Sequence, residues 1–468
     1  MIAFPASLLR AGVFFLISSI NDIYDFNIKP LNILLITVVI NIIFEPYIIY
    51  QIGFQYSVIS VAGLIYMSEY LNQGNYLSKL FKTTLIAQVF SLPITLANYF
   101  EINLLSLITN LIFVPLITIL VYPLAIIIIF LPVLNSILAL IVTLCDSLNN
   151  LFAQIKWLTI SIPFTSIIWS LIYYGLLILW LKIQHKVFIG LLLFELLIIK
   201  YHYNFDNHYY VYYFDVKQGD SSLIITPYQK QVILIDTGGI TTFEQESWQI
   251  KNKKYQISDD IIRFMKSRNI NKINFLITSH GDYDHMGEAI NLVNNFQVAN
   301  VIFNVSDYNK LELELIKILE EKNIPFNQNI ESLRIGNDKV NFLNTKDYDN
   351  ENENSNVLYL NIANKKLLFM GDAGVKREQD IIKYYNIKQI DFLKVGHHGS
   401  NTSSSKEFID TITPKHCIIS VGANNRYGHP KNSVLKLLKS CNIYRTDLSG
   451  SIELKLINSN FEVKIYSP

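Results

Sequence analysis

The alternation of apolar and polar residues changes character near Asn204. Before that point, the runs 31–50, 53–70, 83–100, 104–131 and 166–181 approach or exceed the roughly 20 apolar residues that a bilayer core requires. Weaker runs cover 5–20, 133–151 and 187–199, and together they predict about seven or eight membrane spans. From Tyr209 the runs shorten and alternate, as strands do: 209–216, 222–226, 231–236 and 273–278, then 301–304, 357–362, 366–371, 392–395, 416–421, 451–456 and 461–466. Helical periodicity appears between them at 258–267, 288–298, 308–322, 375–385, 406–411 and 433–439. The pattern therefore predicts a multi-span α-helical membrane domain over 1–204 and an α/β soluble domain over 205–468.

Composition sharpens that division. The whole chain is nearly neutral, 39 Lys and Arg against 38 Asp and Glu. Only eight of the former and seven of the latter precede residue 205, so the first part suits hydrocarbon and the second water. A single apolar signal peptide cannot account for repeated apolar runs after residue 31. Charged and amide residues inside the runs, including Arg10, Asn41, Glu45, Gln51, Gln55, Glu69, Gln88, Asp146 and Glu195, are expected to face the bundle interior, a partner or a polar passage. Lys79, Lys82, Lys182 and Lys186 mark cytoplasmic loops by the positive-inside rule, which sends the soluble domain to the outer side if 104–131 is one span. The three cysteines, Cys145, Cys417 and Cys441, lack metal-site spacing and read as small buried hydrophobes, with Cys417–Cys441 the one disulfide worth testing.

The chemistry concentrates in one loop. Between the strand ending at Thr278 and the helix expected from Glu288 lies His280-Gly281-Asp282-Tyr283-Asp284-His285, four potential metal ligands within six positions. Imidazoles and carboxylates suit two divalent ions of the zinc or manganese type, which lower the pKa of bound water and stabilise charge developing on a phosphoester. Asp284 is the catalytic candidate, and the following helix N-terminus would favour an anion. Further ligands are expected at other strand ends: Asp372 in Gly371-Asp372-Ala373-Gly374, suited to bridging, and His397 with His398 between glycines, where the sequence leaves open which binds. His429, in Tyr427-Gly428-His429-Pro430, is a candidate for contacting substrate phosphate or donating a proton. Asp236 is expected to orient the metal loop by hydrogen bonds, with Asp215 and Asp220 as lesser supports.

The order Asp236, His280 to His285, Asp372, His397-His398 resembles the metallo-β-lactamase superfamily, which implies two sheets between helices (αββα). Asp282 stands where the usual HxHxDH loop has histidine. With Phe214-Asp215-Val216-Lys217-Gln218-Gly219-Asp220-Ser221, His397-His398-Gly399-Ser400 and Tyr427-Gly428-His429-Pro430, that change resembles the ComEC family of competence proteins. Ser7-Leu8-Leu9-Arg10-Ala11, Glu45-Pro46 and Gly53-Phe54-Gln55 resemble motifs of the membrane half of the same family. The resemblance implies a multi-pass bacterial inner-membrane channel that takes up one strand of DNA in transformation, with a metal-dependent nuclease domain degrading the other strand. It also implies contact with lipid and other competence proteins.

Departures from the family are informative. Family members usually begin with an oligonucleotide-binding (OB) barrel and additional spans, so this chain is expected to be a fragment or to rely on a separate polypeptide. Lys217 replaces a common glycine, Glu288 replaces a second glycine, and no histidine lies between His285 and His397, which bears on the second metal position. The soluble half is charge-balanced, with only a local group at Lys251, Lys253 and Lys254, unlike the basic stripe usual in DNA handlers. Two other readings therefore stand beside the first: a membrane-anchored phosphoesterase for a small substrate, and a channel whose hydrolase domain is inactive.

Overall fold

The computed structural model describes residues 6–239, 255–336, 338–457 and 460–467; the basic group Lys251, Lys253 and Lys254 lies outside them. The chain forms two compact units, Met1–Lys200 and Tyr201–Pro468.

In the first unit, among the described residues, four helices are long and apolar enough to cross a membrane: Tyr76–Tyr99, Leu105–Ile127, Pro132–Ala153 and Lys186–Phe205. Three apolar helices are shorter, Pro30–Phe44, Ile52–Tyr66 and Ile167–Ile183. Within the run 104–131, Leu105–Ile127 is a helix continuous through a π turn at Leu116–Val121, just after Pro115 and just before Pro123. A π turn absorbs the register change that a proline without an N–H forces on the helical ladder. The polar residues divide. Arg10, Asn41 and Glu195 are buried, whereas Glu69 and Asp146 are exposed. Asn41 is satisfied within its own helix, its Nδ2 donating to the Thr37 carbonyl at 2.7 Å.

The second unit is a pair of sheets. Its strands are β1 (Tyr209–Tyr213), β2 (Ser222–Ile225), β3 (Val232–Ile235), β4 (Phe275–Ile277), β5 (Val301–Ile302), β6 (Phe326–Asn327), β7 (Ser332–Ile335), β8 (Asp338–Phe342), β9 (Leu358–Ile362), β10 (Lys365–Phe369), β11 (Phe392–Lys394), β12 (His416–Ile419), β13 (Asn442–Arg445), β14 (Ser451–Ile457) and β15 (Asn460–Tyr466). One sheet has the order β6-β5-β4-β3-β2-β1-β14-β15 and the other β7-β8-β9-β10-β11-β12-β13. Period-2 alternation divides the apolar side chains between layers. Val211, Tyr213, Ile233 and Ile235 meet Phe342, Leu358, Leu360 and Phe369 between the sheets, while Tyr210, Tyr212, Val232 and Leu234 face the outer helices. One outer layer includes Ile257–Ser267, whose Ile257, Ile261, Ile262 and Met265 form its buried face. The other contains Val375–Tyr384, Lys406–Ile412 and Asn432–Leu437, packed on the far side of the second sheet. Helix, sheet, sheet and helix thus stack in the αββα order that the sequence pattern and its resemblance led us to expect.

Three expectations need correction. The helix expected over 288–298 is only Ala289–Asn295, followed by a two-residue strand, and the metal loop itself contains one turn, Tyr283–Met286. Neither is long enough to offer the helix-end anion site inferred from the sequence. Strands β6, β7, β8 and β13 are additional to the sequence pattern; at β7 and β8, Arg334, Lys339 and Asn341 break the apolar run of an outlying hairpin. Finally, Cys417 and Cys441 are disulfide-bonded rather than separate buried thiols. Parallel pairing of β12 with β13 brings their Cα atoms to 6.0 Å, within bridging range.

Candidate metal centre

The candidate residues collect at the C-terminal ends of β3, β4, β10 and β11, which lie in two different sheets but point to one edge of the sandwich. After β3, Asp236 adopts a positive φ of 57°. Its Oδ1 accepts the Ser279 N–H at 2.6 Å and its Oδ2 accepts from His285 Nδ1 at 2.9 Å. After β4, the loop is tied down from outside. Gly281 donates its N–H to Glu351 Oε1 at 2.9 Å, and its carbonyl accepts from Asn309 Nδ2 at 2.7 Å. Asn309 is also the N-cap of helix Lys310–Glu321, in a reciprocal capping box with Glu312, so helix initiation and loop placement share one side chain. A Cβ at Gly281 would fall 2.0 Å from Asn309 Nδ2, which explains the glycine. Gly219, at φ +117°, admits the Asp284 carbonyl, which would lie 1.9 Å from an added Cβ.

These constraints bring together His280, His285, Asp284, Asp372 and His398. His285 Nε2 lies 3.2 Å from Asp372 Oδ1, and His398 Nε2 lies 3.3 Å from Asp284 Oδ2 and 3.6 Å from Asp372 Oδ2. The ring centroids of His280 and His285 are 4.2 Å apart, those of His285 and His398 5.3 Å. In both His285 and His398 the Nδ1–H is engaged, by Asp236 and by the Ser420 carbonyl at 3.0 Å, which turns Nε2 inward. The Nε2 atoms of His280, His285 and His398 and Oδ1 of Asp372 are all buried without a hydrogen-bond partner. Ligand atoms of His280, His285 and Asp372, of Asp284, His285 and His398, and of Asp220, Asp372 and His398 converge within 4.8 Å in each set. Buried histidines with Nδ1 held from behind and Nε2 unpaired are the donor arrangement a divalent cation needs, so the residues fit such an ion.

Three of the candidates, Asp282, His397 and His429, stand apart from these groups among the described residues. The Asp282 side chain is half-exposed and reaches His280 Nε2 at 3.4 Å. His397 is partly exposed, with Nε2 at 3.7 Å from Asp372 Oδ2 and Nδ1 at 2.8 Å from Thr402 Oγ1. The ring of His429 lies 6.1 Å from that of His397, at the rim.

Electrostatics follow from this crowding. Burial by itself would lower His285, but the carboxylates of Asp372 and Asp236 outweigh it and leave the imidazole well above its ordinary range. His398 is likewise opposed by burial, yet Asp372 and Asp220 push it up to about 10. Asp372 is disfavoured as an anion by burial, but His285 and His398 hold it well below the usual carboxylate value. The protein alone thus fills the centre with protons where it calls for positive charge. His429 goes the other way. Burial, then the positive charge of His398 and Lys431, lowers it to about 4. Its folded value being depressed, the unfolded chain takes up this proton first, so stability falls as pH drops from about 6.5 towards 4. We expect His429→Gln to flatten part of that decline in metal-free protein, measured by urea unfolding across this range; an unchanged slope would contradict the assignment.

Sequence reasoning missed several supporting residues. Lys394 ends β11 buried, its Nζ 2.6 Å from Asp220 Oδ2. A lysine in the otherwise apolar run Phe392-Leu393-Lys394-Val395 was the available signal. Ser355 accepts the Asp372 N–H at 3.1 Å and sits 3.5 Å from His280 Nδ1. Nothing in its local sequence marked it. Asp215, expected as a lesser support, instead caps a turn, accepting the Lys217 N–H at 3.0 Å.

Comparison with known proteins divides the chain in the same way. A competence protein family model matches residues 1–186, and a metallo-beta-lactamase superfamily model matches residues 214–422. ComE operon protein 3 of Bacillus subtilis (strain 168) is 27% identical over 99% of this chain and 63% of its own length. Competence protein ComA of Neisseria gonorrhoeae is 26% identical over 54% of this chain and 33% of its own. The chain thus spans less than two thirds of either relative. Among solved structures, the metallo-beta-lactamase fold protein YhfI from Bacillus subtilis matches 53% of this chain and 99% of its own at 10% identity and a TM-score of 0.37.

Proposed function

We propose that this chain, matched by a competence protein model over residues 1–186 and a metallo-beta-lactamase superfamily model over residues 214–422, serves DNA uptake, with the soluble domain a metal-dependent phosphodiesterase that cuts single-stranded DNA. The observation that carries the hydrolase reading is the set of unpaired, buried ligand atoms on His280, His285, His398 and Asp372. One cation would be held by His280, His285 and Asp372, and a second by Asp284 and His398. Divalent ions of the zinc or manganese class would supply there a bound water of lowered pKa and positive charge facing the phosphoester.

The chain's own groups do the rest. Asp236 and the Ser420 carbonyl fix the tautomers of His285 and His398, and Asp284, less buried than Asp372, faces the side open to substrate. Asp282 and His397 border the opening. His429, neutral above about pH 4, offers a phosphate oxygen an imidazole N–H rather than an acidic proton. In the membrane unit, buried Arg10 is our candidate for lining a strand's path. The Cys417–Cys441 disulfide favours an oxidising compartment and so supports placing the soluble unit on the outer face of the bacterial inner membrane.

The test uses the full chain in detergent, loaded with Mn²⁺ or Zn²⁺, and an end-labelled single strand. Wild type should cleave it, while Asp284→Ala should lose at least about a hundredfold in rate. Absence of metal-dependent cleavage by wild type would remove the hydrolase reading. The charge-balanced soluble half favours one competing outcome, hydrolysis of small phosphoesters with no dependence on strand length.

A further inference from the structure

After β12 the chain makes a turn, Asn425 to Lys431, that is fixed by its own side chains. Asn425 Oδ1 accepts the His429 N–H at 2.9 Å, and its Nδ2 donates to the His429 carbonyl at 2.7 Å. Lys431 Nζ donates to the Tyr427 carbonyl at 2.7 Å. The turn so braced presents two rings side by side. Tyr427 and His429 have nearly parallel planes, 10° apart, with centroids separated by 6.0 Å. His429 is the inner ring, beside His397 at the rim of the centre. Tyr427 is the outer one, 60% exposed.

Single exposed aromatics are ordinary on a protein surface, and Tyr228, Tyr255 and Tyr384 are examples in this chain. Tyr427 differs in two respects: its turn is held from both sides, and its plane is aligned with an imidazole of the candidate site. Cations flank it in sequence, exposed Arg426 and partly exposed Lys431, as lysines approach the other three rings. Aromatic faces next to cations are how sequence-tolerant sites hold unpaired strands, since every base has a π face and every nucleotide a phosphate. A base inside a duplex is already stacked on its neighbours and cannot lie on the ring.

We propose that Tyr427 is a stacking platform for one unpaired nucleobase of a strand whose phosphate lies at the His280–His398 centre. The site would therefore select polynucleotides over base-free phosphodiesters. This deepens the hydrolase reading and rests on it. It also supplies a grip that does not depend on net charge, in a domain whose charges balance.

The test compares two labelled strands of equal length, an oligothymidylate and one whose central positions are abasic spacers, using the full-length protein in detergent. With Mn²⁺, wild type should show a KM roughly tenfold lower for the base-bearing strand. Tyr427→Ala should bring that ratio near one, mostly through KM, and Tyr427→Phe should keep it. Equal KM values for wild type, or an unchanged ratio in Tyr427→Ala, would overturn the stacking inference and leave the hydrolase reading intact. If wild type cleaves neither strand, the hydrolase reading fails. Fluorescence anisotropy of both strands in EDTA then decides the stacking question separately: a base preference lost in Tyr427→Ala supports the platform, and no preference refutes it.

Discussion

Asp372→Asn should lose bound metal and lower strand cleavage by well over a hundredfold, more than any other single change in the centre. The side chain is nearly isosteric, so the effect isolates charge and ligand strength from packing. Asp372 touches more of the site than its neighbours do: His285 at 3.2 Å through Oδ1, His398 at 3.6 Å and His397 at 3.7 Å through Oδ2. It is also the largest favourable influence on the charged forms of both His285 and His398. A readout independent of activity follows. In metal-free wild type His398 is raised to about 10, so the stability it contributes is complete below about pH 6.5 and is lost as pH rises towards 10. Asp372→Asn should shrink that alkaline loss, since the imidazole falls back towards its ordinary value. Added Mn²⁺ should raise the unfolding midpoint of wild type at pH 8 and leave the variant's unchanged, because an ion stabilises only the fold that binds it. A variant that still gained stability from Mn²⁺ would show that Asp372 is not a ligand.

That centre was legible in outline because its residue types are dense where structure demands few of them. Four ligands in six positions, and two histidines between glycines, have no packing explanation. Their arrangement was not legible. Whether His397 or His398 turns inward depends on backbone: both have positive φ in the turn after β11, and only His398 has its Nδ1 on the Ser420 carbonyl. The layered fold was similarly clear where strands are buried on both faces, as at Val232–Ile235, and obscure at the β7–β8 hairpin. There Ile335, Val340 and Phe342 do alternate inward, but the polar residues between them dilute the signal over strands of four and five residues. The disulfide depended on a long-range fact, the adjacency of β12 and β13, that no local spacing encodes. Ser355 and Glu351 belong to the same class. They act by reaching another segment, and only the folded chain says which one.

Lys394→Met should destabilise the soluble unit by about 3–5 kcal/mol, a drop of roughly 10 °C in its unfolding midpoint, although lysine is normally the most replaceable of surface residues. This one is not on the surface. Its side chain is 2% exposed and its Nζ lies 2.6 Å from Asp220 Oδ2, itself buried. Asp220 in turn reaches His398 Nδ1 at 3.4 Å and donates its backbone N–H to the Asp284 carbonyl at 3.2 Å, so the pair stands directly behind two candidate ligands. Lys394 and then His398 keep Asp220 ionised against burial. Methionine fills the same volume but leaves that carboxylate with one fewer counter-charge, and the cost of an uncompensated buried charge exceeds what the pair contributes when intact. The double variant Lys394→Met with Asp220→Asn should therefore recover much of the lost stability, a coupling between neighbours that a thermodynamic cycle measures. It should not recover cleavage. With Asp220 neutral, His398 loses one of the three carboxylates around it, the one on its Nδ1 side, and the ring is freer to leave the position in which its Nε2 faces Asp284. If both variants were equally unstable, the lysine would matter through packing alone. If the double variant cleaved DNA normally, the ion pair would have no part in placing His398. The lysine thus supplies Asp220 with a permanent positive charge, distinct from whatever cations the hydrolase reading assigns to Asp372 and Asp284.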